Sequence, residues 1–498
     1  MSIQDSITRQ TPPCPAFVRI IVTVFGLLAA VAWTGSAARA ADRPPNIVLI
    51  VSDDQGYHDL GVLGDHILTP SLDRIAREGV RLTNFYVAWP ACTPSRGALL
   101  TGRYPQRNGI YDMIRNEAPD YGHKYAAEEY AVTWERIGGM DTREILLPRM
   151  LKQAGYYSGI FGKWDLGMHR RYLPLARGWD EFYGFVNTGI DYYTHERYGV
   201  PSMYRDNRPT NEDQGTYCTD LFRREAVRFV QENKDRPFFL YLPFNAPHNA
   251  SNLDPAIRAA AQAPDEWRQK YPDLHAREAL AKGTRRGETV QVPNAALRKT
   301  HYLGSVTAMD AAIGDVLSLL DEYRLAENTI VIFFSDNGGS GGADNSPLRG
   351  GKGQVFDGGI RVCCLVRYPP RIRGGSVSGE FLTTLEVVPT LLQLAGAPPP
   401  ADVVLDGFDM LPVLSGAEPS PRQTMFWKRR EQQAARVGHW KWVRNANGTF
   451  LFDLAQDIGE KNNLAPTMPD KAAELEARFQ HWQQEMDAAE PREPFRDY

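Results

Sequence analysis

The clearest pattern along the chain is a series of short apolar runs that alternate with segments in which apolar residues recur at helical spacing. Runs of strand length occur at residues 46–51 (NIVLIV), 80–85, 157–161, 237–242 (PFFLYL) and 329–334 (TIVIFF). Helical spacing occurs at residues 72–78, 146–154, 220–233 and 306–320. This alternation predicts an α/β fold with a large, mostly parallel central sheet flanked by helices.

Four of the apolar runs end at a polar cluster. The clusters are SDD at residues 52–54, GKWD at 162–165, NAPH at 245–248 and SDNGG at 335–339. Any one of them alone is explained as a helix cap or a turn. Ligand sites in open α/β sheets lie beyond the carboxyl ends of the strands. Four clusters of compatible chemistry therefore predict one shared site.

Three long stretches interrupt the alternation, at residues 112–143, 187–214 and 251–293. They are rich in charged residues, Tyr, Pro and Gly and show weak periodicity. Loops of this length inside a compact domain are usually functional. We expect them to wall a pocket above the polar clusters.

A Pro/Gly/Ser-rich link at residues 414–421 is predicted to end the large domain, which then covers residues 41–415. Beyond it, short strands are predicted at residues 424–428, 434–437, 440–444 and 449–453, followed by an amphipathic helix over 471–488. Asn447-Gly448 is a strong two-residue hairpin signal. Residues 420–498 are therefore predicted to form a small C-terminal antiparallel sheet plus helix.

The N-terminal 40 residues have the features of a secretory signal peptide. Arg9 and Arg19 precede an apolar run at residues 20–33, and Ala38-Arg39-Ala40 is a small-residue cleavage site. A membrane anchor is the alternative, but the run is short for a span. We expect an exported protein, periplasmic or secreted, with no membrane span after cleavage.

The net charge limits the kinds of binding partner expected, and the cysteine content limits the disulfides expected. The signal segment contains three arginines and one aspartate, so its removal lowers the formal net charge from −4 to −6. An acidic protein has no overall field that attracts nucleic acid, so no such partner is expected and anion recognition must be local. Outside the signal, the cysteines are Cys92, Cys218, Cys363 and Cys364, and no disulfide framework is predicted.

Cys92 opens the most informative stretch, CTPSRGALLTGR at residues 92–103. Pro94 suits the first position of a helix, which places Cys92 at the helix N-terminus, where backbone N–H groups and the dipole favour an anion. Arg96 and Arg103 add positive charge. A lone cysteine in such a turn is more often structural, but these neighbours indicate a reactive side chain beside an anion site.

The whole string resembles the signature of the type I sulfatases, members of the alkaline phosphatase superfamily, and the resemblance extends from about Pro45 to the C-terminus. In that family, a maturation enzyme oxidises the cysteine to Cα-formylglycine. The resemblance implies an alkaline phosphatase-like fold for this chain. It also implies hydrolysis of a sulfate monoester, with a sulfated carbohydrate or an aryl sulfate as the substrate.

Oxygen-bearing side chains predict a metal. Asp53, Asp54, Asp336 and Asn337 offer only oxygen ligands, which suit Ca²⁺ or Mg²⁺ and not zinc. Three converging carboxylates would repel one another strongly without a cation. The resemblance implies that these four residues hold one divalent ion, and calcium is expected rather than magnesium.

The resemblance also assigns roles around Cys92. One hydroxyl of the formylglycine hydrate attacks sulfur, and the other later expels sulfate. Arg96 holds the hydrate, and Lys163 and Lys352 bind the sulfuryl oxygens. His248, together with Lys352, is placed beside the leaving oxygen as the acid.

One position departs from the family pattern. Many relatives have GKWHLG where this chain has GKWDLG at residues 162–167, so Asp165 stands in place of a histidine. Asp165 is expected in the site as a proton acceptor of lower basicity. The alternative is that His169, four residues later, reaches the site instead.

Two other functions are compatible with the same motifs. Phosphonate monoester and phosphodiester hydrolases of the same superfamily share the Cys-x-Pro-Ser-Arg signature. A non-catalytic protein that binds sulfated glycan is the third hypothesis, and the intact Cys92 string and metal set argue against it. Sulfated carbohydrate is the expected substrate class by analogy with exported sulfatases.

Overall fold

The structure, a computed structural model, describes residues 43–114, 139–258, 260–285 and 287–489. The signal peptide predicted at residues 1–40 and most of the first predicted insertion lie outside the described residues. The strands, in chain order, are β1 (Asn46–Ser52), β2 (Val80–Tyr86), β3 (Tyr157–Lys163), β4 (Glu181–Phe185), β5 (Glu196–Arg197), β6 (Val200–Pro201), β7 (Met203–Arg205), β8 (Arg208–Pro209), β9 (Phe238–Pro243), β10 (Leu280–Arg285), β11 (Glu288–Pro293), β12 (Thr329–Ser335), β13 (Arg361–Arg367), β14 (Ser376–Ser378), β15 (Leu382–Thr383), β16 (Thr424–Arg429), β17 (Gln432–Val437), β18 (Trp440–Asn445) and β19 (Gly448–Asp453).

The α-helices include every segment for which the apolar spacing predicted one. They are α1 (Pro70–Glu78), α2 (Cys92–Thr101), α3 (Pro105–Asn108), α4 (Leu147–Lys152), α5 (Cys218–Asn233), α6 (Pro255–Arg258), α7 (Asp265–Arg268), α8 (Pro272–His275), α9 (Ala295–Glu322), α10 (Asp357–Ile360), α11 (Val387–Ala395), α12 (Leu411–Leu414) and α13 (Pro469–Ala488). Helix α9 is apolar and long enough to cross a bilayer, but 78% of its most apolar window is buried inside the protein. It is a core helix that packs on α1 and α5.

The central sheet has the strand order β14-β2-β13-β12-β1-β9-β3-β4-β7-β8, and β15 also pairs with β2. Strands β12, β1, β9, β3 and β4 run parallel to one another, whereas β13 and β7 are antiparallel to their neighbours β12 and β4. Apolar clusters cover both faces of the sheet. The predicted fold class, a mostly parallel sheet flanked by helices, is confirmed.

Strand β1 lies in the middle of the parallel section because its continuous apolar run can be buried on both faces. Its register with β12 pairs Asn46 with Thr329 and Ser52 with Ser335. The two strands therefore end side by side, and the Asp336 amide donates to the Ser52 carbonyl across 3.0 Å. This register brings the polar clusters that follow both strands to one edge.

The C-terminal strands form the predicted antiparallel sheet, with the order β16-β17-β18-β19, and α13 packs on β17 and β18. The β18–β19 hairpin pairs Asn445 with Gly448, so its turn is Ala446-Asn447, one residue earlier than the Asn447-Gly448 motif suggested. Gly448 takes a positive φ of 117° as the first residue of β19.

The second and third predicted insertions contain short elements that their weak periodicity did not reveal. Residues 187–214 include β5 to β8, and residues 251–293 include α6 to α8 and the β10–β11 hairpin. The predicted division at residues 414–421 stays a prediction, and the described residues from Pro45 onward group into one compact unit.

Candidate active site

The carboxyl ends of four parallel strands meet at one edge of the sheet and carry most of the predicted site. Asp53 and Asp54 follow β1, and Asp336 and Asn337 follow β12. Lys163 is the last residue of β3. The Asp53 amide donates to the carbonyl of Ala246, across 3.0 Å, which ties the segment after β9 to the same edge. Parallel pairing therefore accounts for the convergence that the sequence predicted.

A glycine lets β3 approach this edge closely. Gly162 adopts φ +135°, and a Cβ atom at this position would lie 2.0 Å from the Pro243 carbonyl oxygen at the end of β9. Only glycine fits this backbone and this spacing. The Gly-Lys dipeptide therefore places Lys163 directly beside the strand ends.

Helix α2 begins at Cys92, and all of its residues are buried. Pro94 is the third residue of the helix, two positions later than expected. It is tolerated there because the first-turn N–H groups have no intrahelical partners. The Cys92 sulfur lies 3.5 Å from Asp53 Oδ1 and 3.3 Å from Lys352 Nζ. The structure thus places the start of α2 against the strand-end acids.

The three acids form one buried cluster. Asp53, Asp54 and Asp336 each offer a carboxylate oxygen within 4.8 Å of the others, and each side chain is at most 3% exposed. The Asn337 amide nitrogen donates to Asp54 Oδ1 at 2.8 Å. The Asn337 Oδ1 atom is buried and has no hydrogen-bond partner in the described part of the chain.

This donor set fits a hard divalent cation. Three carboxylates and one unpartnered amide oxygen provide oxygen ligands of the kind that calcium and magnesium bind. The buried carboxylates also need positive charge to be stable in a dry environment. The acidic cluster can therefore hold one metal ion.

Three cations surround the acids, of which Arg96 and Lys163 are buried and Lys352 is 23% exposed. Arg96 donates through Nε and Nη2 to Asp336 Oδ2, at 3.0 and 2.7 Å, and its Nη2 lies 3.8 Å from Asp53. Lys163 Nζ is 2.8 Å from Asp53 Oδ2. Lys352 Nζ is 2.8 Å from Asp54 Oδ2. These contacts leave a site lined with both signs of charge, suited to binding an anion next to a metal.

His248 and Asp165 also lie at this edge. His248 Nε2 is 3.8 Å from Asp54 Oδ2, and its Nδ1 pairs with the Asn249 carbonyl at 2.7 Å. Asp165 is fully buried, with Oδ2 at 3.5 Å from Lys163 Nζ. Asp165 also has a positive φ of 60°, and Asp54 one of 69°, which is uncommon for residues other than glycine. His169, the alternative to Asp165, is exposed, and its ring contacts Tyr172.

Burial and neighbouring charges shift the pKa values in the site. Burial raises the pKa of Asp336 to about 7, and the charge of Asp53 adds to the effect. Burial acts on Asp53 in the same direction, but Lys163 and the other nearby cations outweigh it and hold its pKa below the ordinary value. Burial, followed by the Lys352 ammonium, lowers the pKa of His248 to about 4.

The sequence analysis missed residues that support the metal loop. Ser340 donates its hydroxyl to Asp54 Oδ2 at 2.8 Å. Tyr302, from α9, donates its hydroxyl to Asp59 Oδ2 and accepts the Gly56 amide at 3.0 Å. Ser340 stands close to the SDNGG cluster and could have been found there. Tyr302 lies on a helical face that predicts only core packing, so no local signal marked it.

Comparisons with known proteins agree with this fold and site. The sulfatase family model matches residues 45–397, and the model for N-sulphoglucosamine sulphohydrolase, C-terminal, matches residues 351–485. N-acetylgalactosamine-6-sulfatase of Canis lupus familiaris is 34% identical over 439 residues, covering 84% of this chain and 75% of that protein. Arylsulfatase J of Mus musculus is 30% identical over 444 residues, covering 83% and 66%.

Among solved structures, that of Ps i-CgsB has a TM-score of 0.74 and 30% identity, and the match covers 88% of this chain and 93% of that one. A complex of the same protein with k-i-k-neocarrahexaose matches with 29% identity and the same TM-score, 0.74. This fold and site define a class of protein, namely hydrolases of α/β architecture that carry an acidic cluster at the ends of their parallel strands. The chain belongs to the sulfatase family and is a sulfuric ester hydrolase of that type.

Proposed function

We propose that this protein hydrolyses a sulfate monoester of a sulfated carbohydrate, with Cys92 matured to Cα-formylglycine. The observation that carries the proposal is the position of Cys92 Sγ, 3.5 Å from Asp53 and 3.3 Å from Lys352, at the acid cluster. The formylglycine hydrate supplies the nucleophile, and calcium held by Asp53, Asp54, Asp336 and Asn337 polarises the sulfate oxygens when bound.

The protonation state of the Cys92 thiol supports the proposal that Cys92 must be converted to formylglycine before it can react. Burial, followed by the charge of Asp53, raises its pKa well above the ordinary value, despite its place at a helix N-terminus. A thiolate is the reactive form of cysteine, so the unmodified side chain is a poor nucleophile at neutral pH. A formylglycine-generating enzyme is therefore a partner in this proposal. We also propose that the mature enzyme is exported to the periplasm or outside the cell, on the basis of the predicted signal peptide.

The cations around the acid cluster support sulfate binding. Lys352 Nζ lies 3.3 Å from Cys92 Sγ and Lys163 Nζ lies 2.8 Å from Asp53 Oδ2, so both ammonium groups can donate to sulfuryl oxygens in this proposal. Arg96 is fixed by Asp336 and holds the matured side chain in place. His248, 18% exposed, is proposed to lie beside the leaving alcohol, and because its lowered pKa leaves the imidazole neutral near pH 7, the charged Lys352 ammonium is the proposed proton donor there. Asp165, beside Lys163, is the proposed proton acceptor during sulfate release.

The relatives support the substrate class. Those compared include an N-acetylgalactosamine-6-sulfatase, at 34% identity, and Ps i-CgsB in complex with k-i-k-neocarrahexaose. These two favour a sulfated glycan as the natural substrate, whereas arylsulfatase J, at 30% identity, favours an aryl sulfate. The phosphonate monoester hydrolase of Agrobacterium radiobacter shares the fold at a TM-score of 0.59 and 20% identity, so it gives no support for phosphonate or phosphodiester hydrolysis here.

Mass spectrometry of the peptide that carries Cys92, combined with turnover of 4-methylumbelliferyl sulfate, tests the proposal. We expect an aldehyde in place of the thiol in active protein, and turnover that Cys92→Ala abolishes without a change in the unfolding temperature. Cys218→Ala is the matched control, since Cys218 is equally buried but lies in α5. An unmodified thiol in active enzyme, or faster hydrolysis of the phosphate ester of the same alcohol, would contradict the proposal.

A further inference from the structure

A cavity separate from the acid cluster lies between residues of the central-sheet region and residues of the C-terminal strands and helix. Its volume is about 440 Å³, within the range of small-molecule sites. It is lined by residues from four separate segments, among them Trp89, Tyr111, Lys428, Arg430 and Gln483. None of these residues belongs to the acid cluster or to the cations around Cys92.

The cavity adjoins the proposed active site from two directions. Trp89 precedes Cys92 by three residues, so their Cα atoms are at most about 11 Å apart. On the other side, Arg429 donates from Nη1 to the carbonyl of Gly353, the residue after Lys352, at 2.8 Å. Its chain neighbours Lys428 and Arg430 line the cavity. The cavity therefore lies close in the fold to Cys92 and to the segment that carries Lys352.

The lining has unused hydrogen-bonding capacity. Trp89 is 2% exposed, and its indole N–H has no partner among the described residues. Gln483 Oε1 is buried and equally unpartnered in that part of the chain, although its amide nitrogen donates to Asp487 Oδ1 at 2.7 Å. Buried polar atoms without partners are rare in folded proteins, and two at one cavity point to a polar ligand.

The charges of the lining balance. Arg430 pairs with Asp112 at 3.1 Å, and Lys428 and Asp487 add one charge of each sign. The cavity therefore does not favour an anion, in contrast to the site at Cys92. It offers donors, acceptors and the aromatic side chains of Trp89 and Tyr111, and Tyr111 is 50% exposed. Sugar rings need this combination, because their C–H faces pack on aromatic rings while their hydroxyls donate and accept.

We infer that this cavity is a carbohydrate subsite that holds an uncharged sugar ring next to the sulfated residue. The inference rests on the proposed function and deepens it, since it makes the substrate an oligosaccharide or polymer rather than a sulfated monosaccharide. Binding the neighbouring ring contributes to KM and leaves the chemistry at Cys92 unchanged.

The test compares the double variant Tyr111→Ala/Gln483→Leu with wild-type enzyme. Substrates are 4-methylumbelliferyl sulfate and hexasaccharides of keratan sulfate and of κ-carrageenan, in both of which uncharged rings alternate with sulfated ones, each compared with its own sulfated monosaccharide, with sulfate release as the readout. We expect kcat/KM to fall about tenfold on the better hexasaccharide, mainly through KM, and to stay within about twofold on the monosaccharide and aryl ester.

Two controls separate the subsite from general damage. Tyr111→Phe keeps the aromatic face and should retain hexasaccharide turnover. Gln480→Leu makes the same change on the same helix α13 at an exposed position. An equal loss on monosaccharide and hexasaccharide, no loss on either, or turnover of the aryl sulfate with none of the hexasaccharides would overturn the inference.

A binding experiment tests the cavity independently of activity. Cys92→Ala protein is titrated with the desulfated hexasaccharides, and saturation-transfer NMR reports contacts. Binding that the Tyr111→Ala/Gln483→Leu change removes supports the subsite even if no sulfate ester is turned over, an outcome that would overturn the proposed function alone. Absence of binding to either neutral hexasaccharide overturns the subsite.

Discussion

Asp53 contacts several of the other groups in the proposed active site. Its two carboxylate oxygens contact Lys163 at 2.8 Å and Cys92 at 3.5 Å, and Arg96 lies 3.8 Å away. Its backbone amide also holds the segment after β9, through the Ala246 carbonyl. A change at one of these residues therefore alters both the charge balance of the site and the position of its neighbours.

Asp336→Asn should remove metal and activity together. The change takes one charged ligand from the cluster and leaves the buried Arg96 guanidinium without its 2.7 Å carboxylate partner. Breaking a buried ion pair costs about 3–5 kcal/mol, so the unfolding temperature should fall as well. Metal content after dialysis, measured by plasma mass spectrometry, checks the first expectation. Asp344→Asn is the control, since Asp344 lies outside the cluster and accepts from Ser346. Full metal occupancy in Asp336→Asn would contradict the ligand assignment.

Asp165→Asn separates a proton acceptor from a structural partner of Lys163. Lys163 keeps Asp53 at 2.8 Å, and asparagine tolerates the positive φ of 60° at this position. Loss of a general base typically costs about 10²–10⁴ in kcat, and we expect a loss in this range with an unchanged unfolding temperature. Asp165→His should recover turnover, since imidazole can accept the same proton. If kcat of Asp165→Asn stays near that of wild type, the residue has no role in proton transfer.

At the scale of elements, strand register and contacts with helices hold the segments around the site in position. The third predicted insertion is held to the long helix α9 by His301, whose Nδ1 accepts the Ala263 amide at 3.0 Å. Burial, helped by the charge of Arg268, lowers the pKa of His301 to about 4 from an ordinary value of 6.5. This contact makes the attachment of the insertion sensitive to acid.

Acidification should weaken the fold through His301. Because the pKa of His301 is lower in the folded protein, the unfolded chain binds more protons between pH 6.5 and 4. The contribution of His301 to the free energy of unfolding is therefore complete above pH 6.5 and decreases as the pH falls towards 4. The loss is up to about 2 kcal/mol between pH 7 and 5. His301→Asn keeps an acceptor and cannot titrate, so urea unfolding at the two pH values should show a smaller difference than in wild type. An identical pH dependence in both proteins would refute the assignment.

At the scale of the whole molecule, the C-terminal sheet is part of the active-site support. Arg349 donates to the Glu460 carbonyl at 2.9 Å, and Trp427 donates its indole N–H to the Val87 carbonyl at 2.8 Å. Lys441, from β18, is fully buried between Asp357, at 2.6 Å, and Glu460, at 2.8 Å. The segment at residues 349–357, which carries Lys352, is therefore bound to the C-terminal part of the chain through Arg349 and Asp357.

Lys441→Met should destabilise the entire protein by about 3–5 kcal/mol, because it leaves two buried carboxylates without their shared cation. Denaturant unfolding followed by fluorescence measures this change. Lys461→Met, at an exposed position, is expected to change the free energy of unfolding by less than about 0.5 kcal/mol. A small effect of Lys441→Met would mean that the ion cluster does not join the two parts of the chain.

The site residues differ in how far the sequence could predict them. Asp53, Asp54, Asp336 and Asn337 follow apolar runs, and parallel strands bring such positions together, so their convergence was predictable. Lys352 follows no strand, and only the resemblance to sulfatases marked it. Ion clusters and cavities built from residues far apart in the sequence have no local pattern at all; Lys441 and Asp357 are 84 positions apart, and Trp89 and Gln483 lie towards opposite ends of the chain.

The sequence by itself determined the fold class, the strand-end acids and the family, because apolar periodicity and a long motif are local properties of the chain. The tertiary structure alone decided which strands are neighbours, how Cys92 meets Asp53 and Lys352, and that the C-terminal sheet closes a second cavity. The physical reason is that register, burial and charge pairing depend on contacts between distant segments, which are specified only when the whole chain packs.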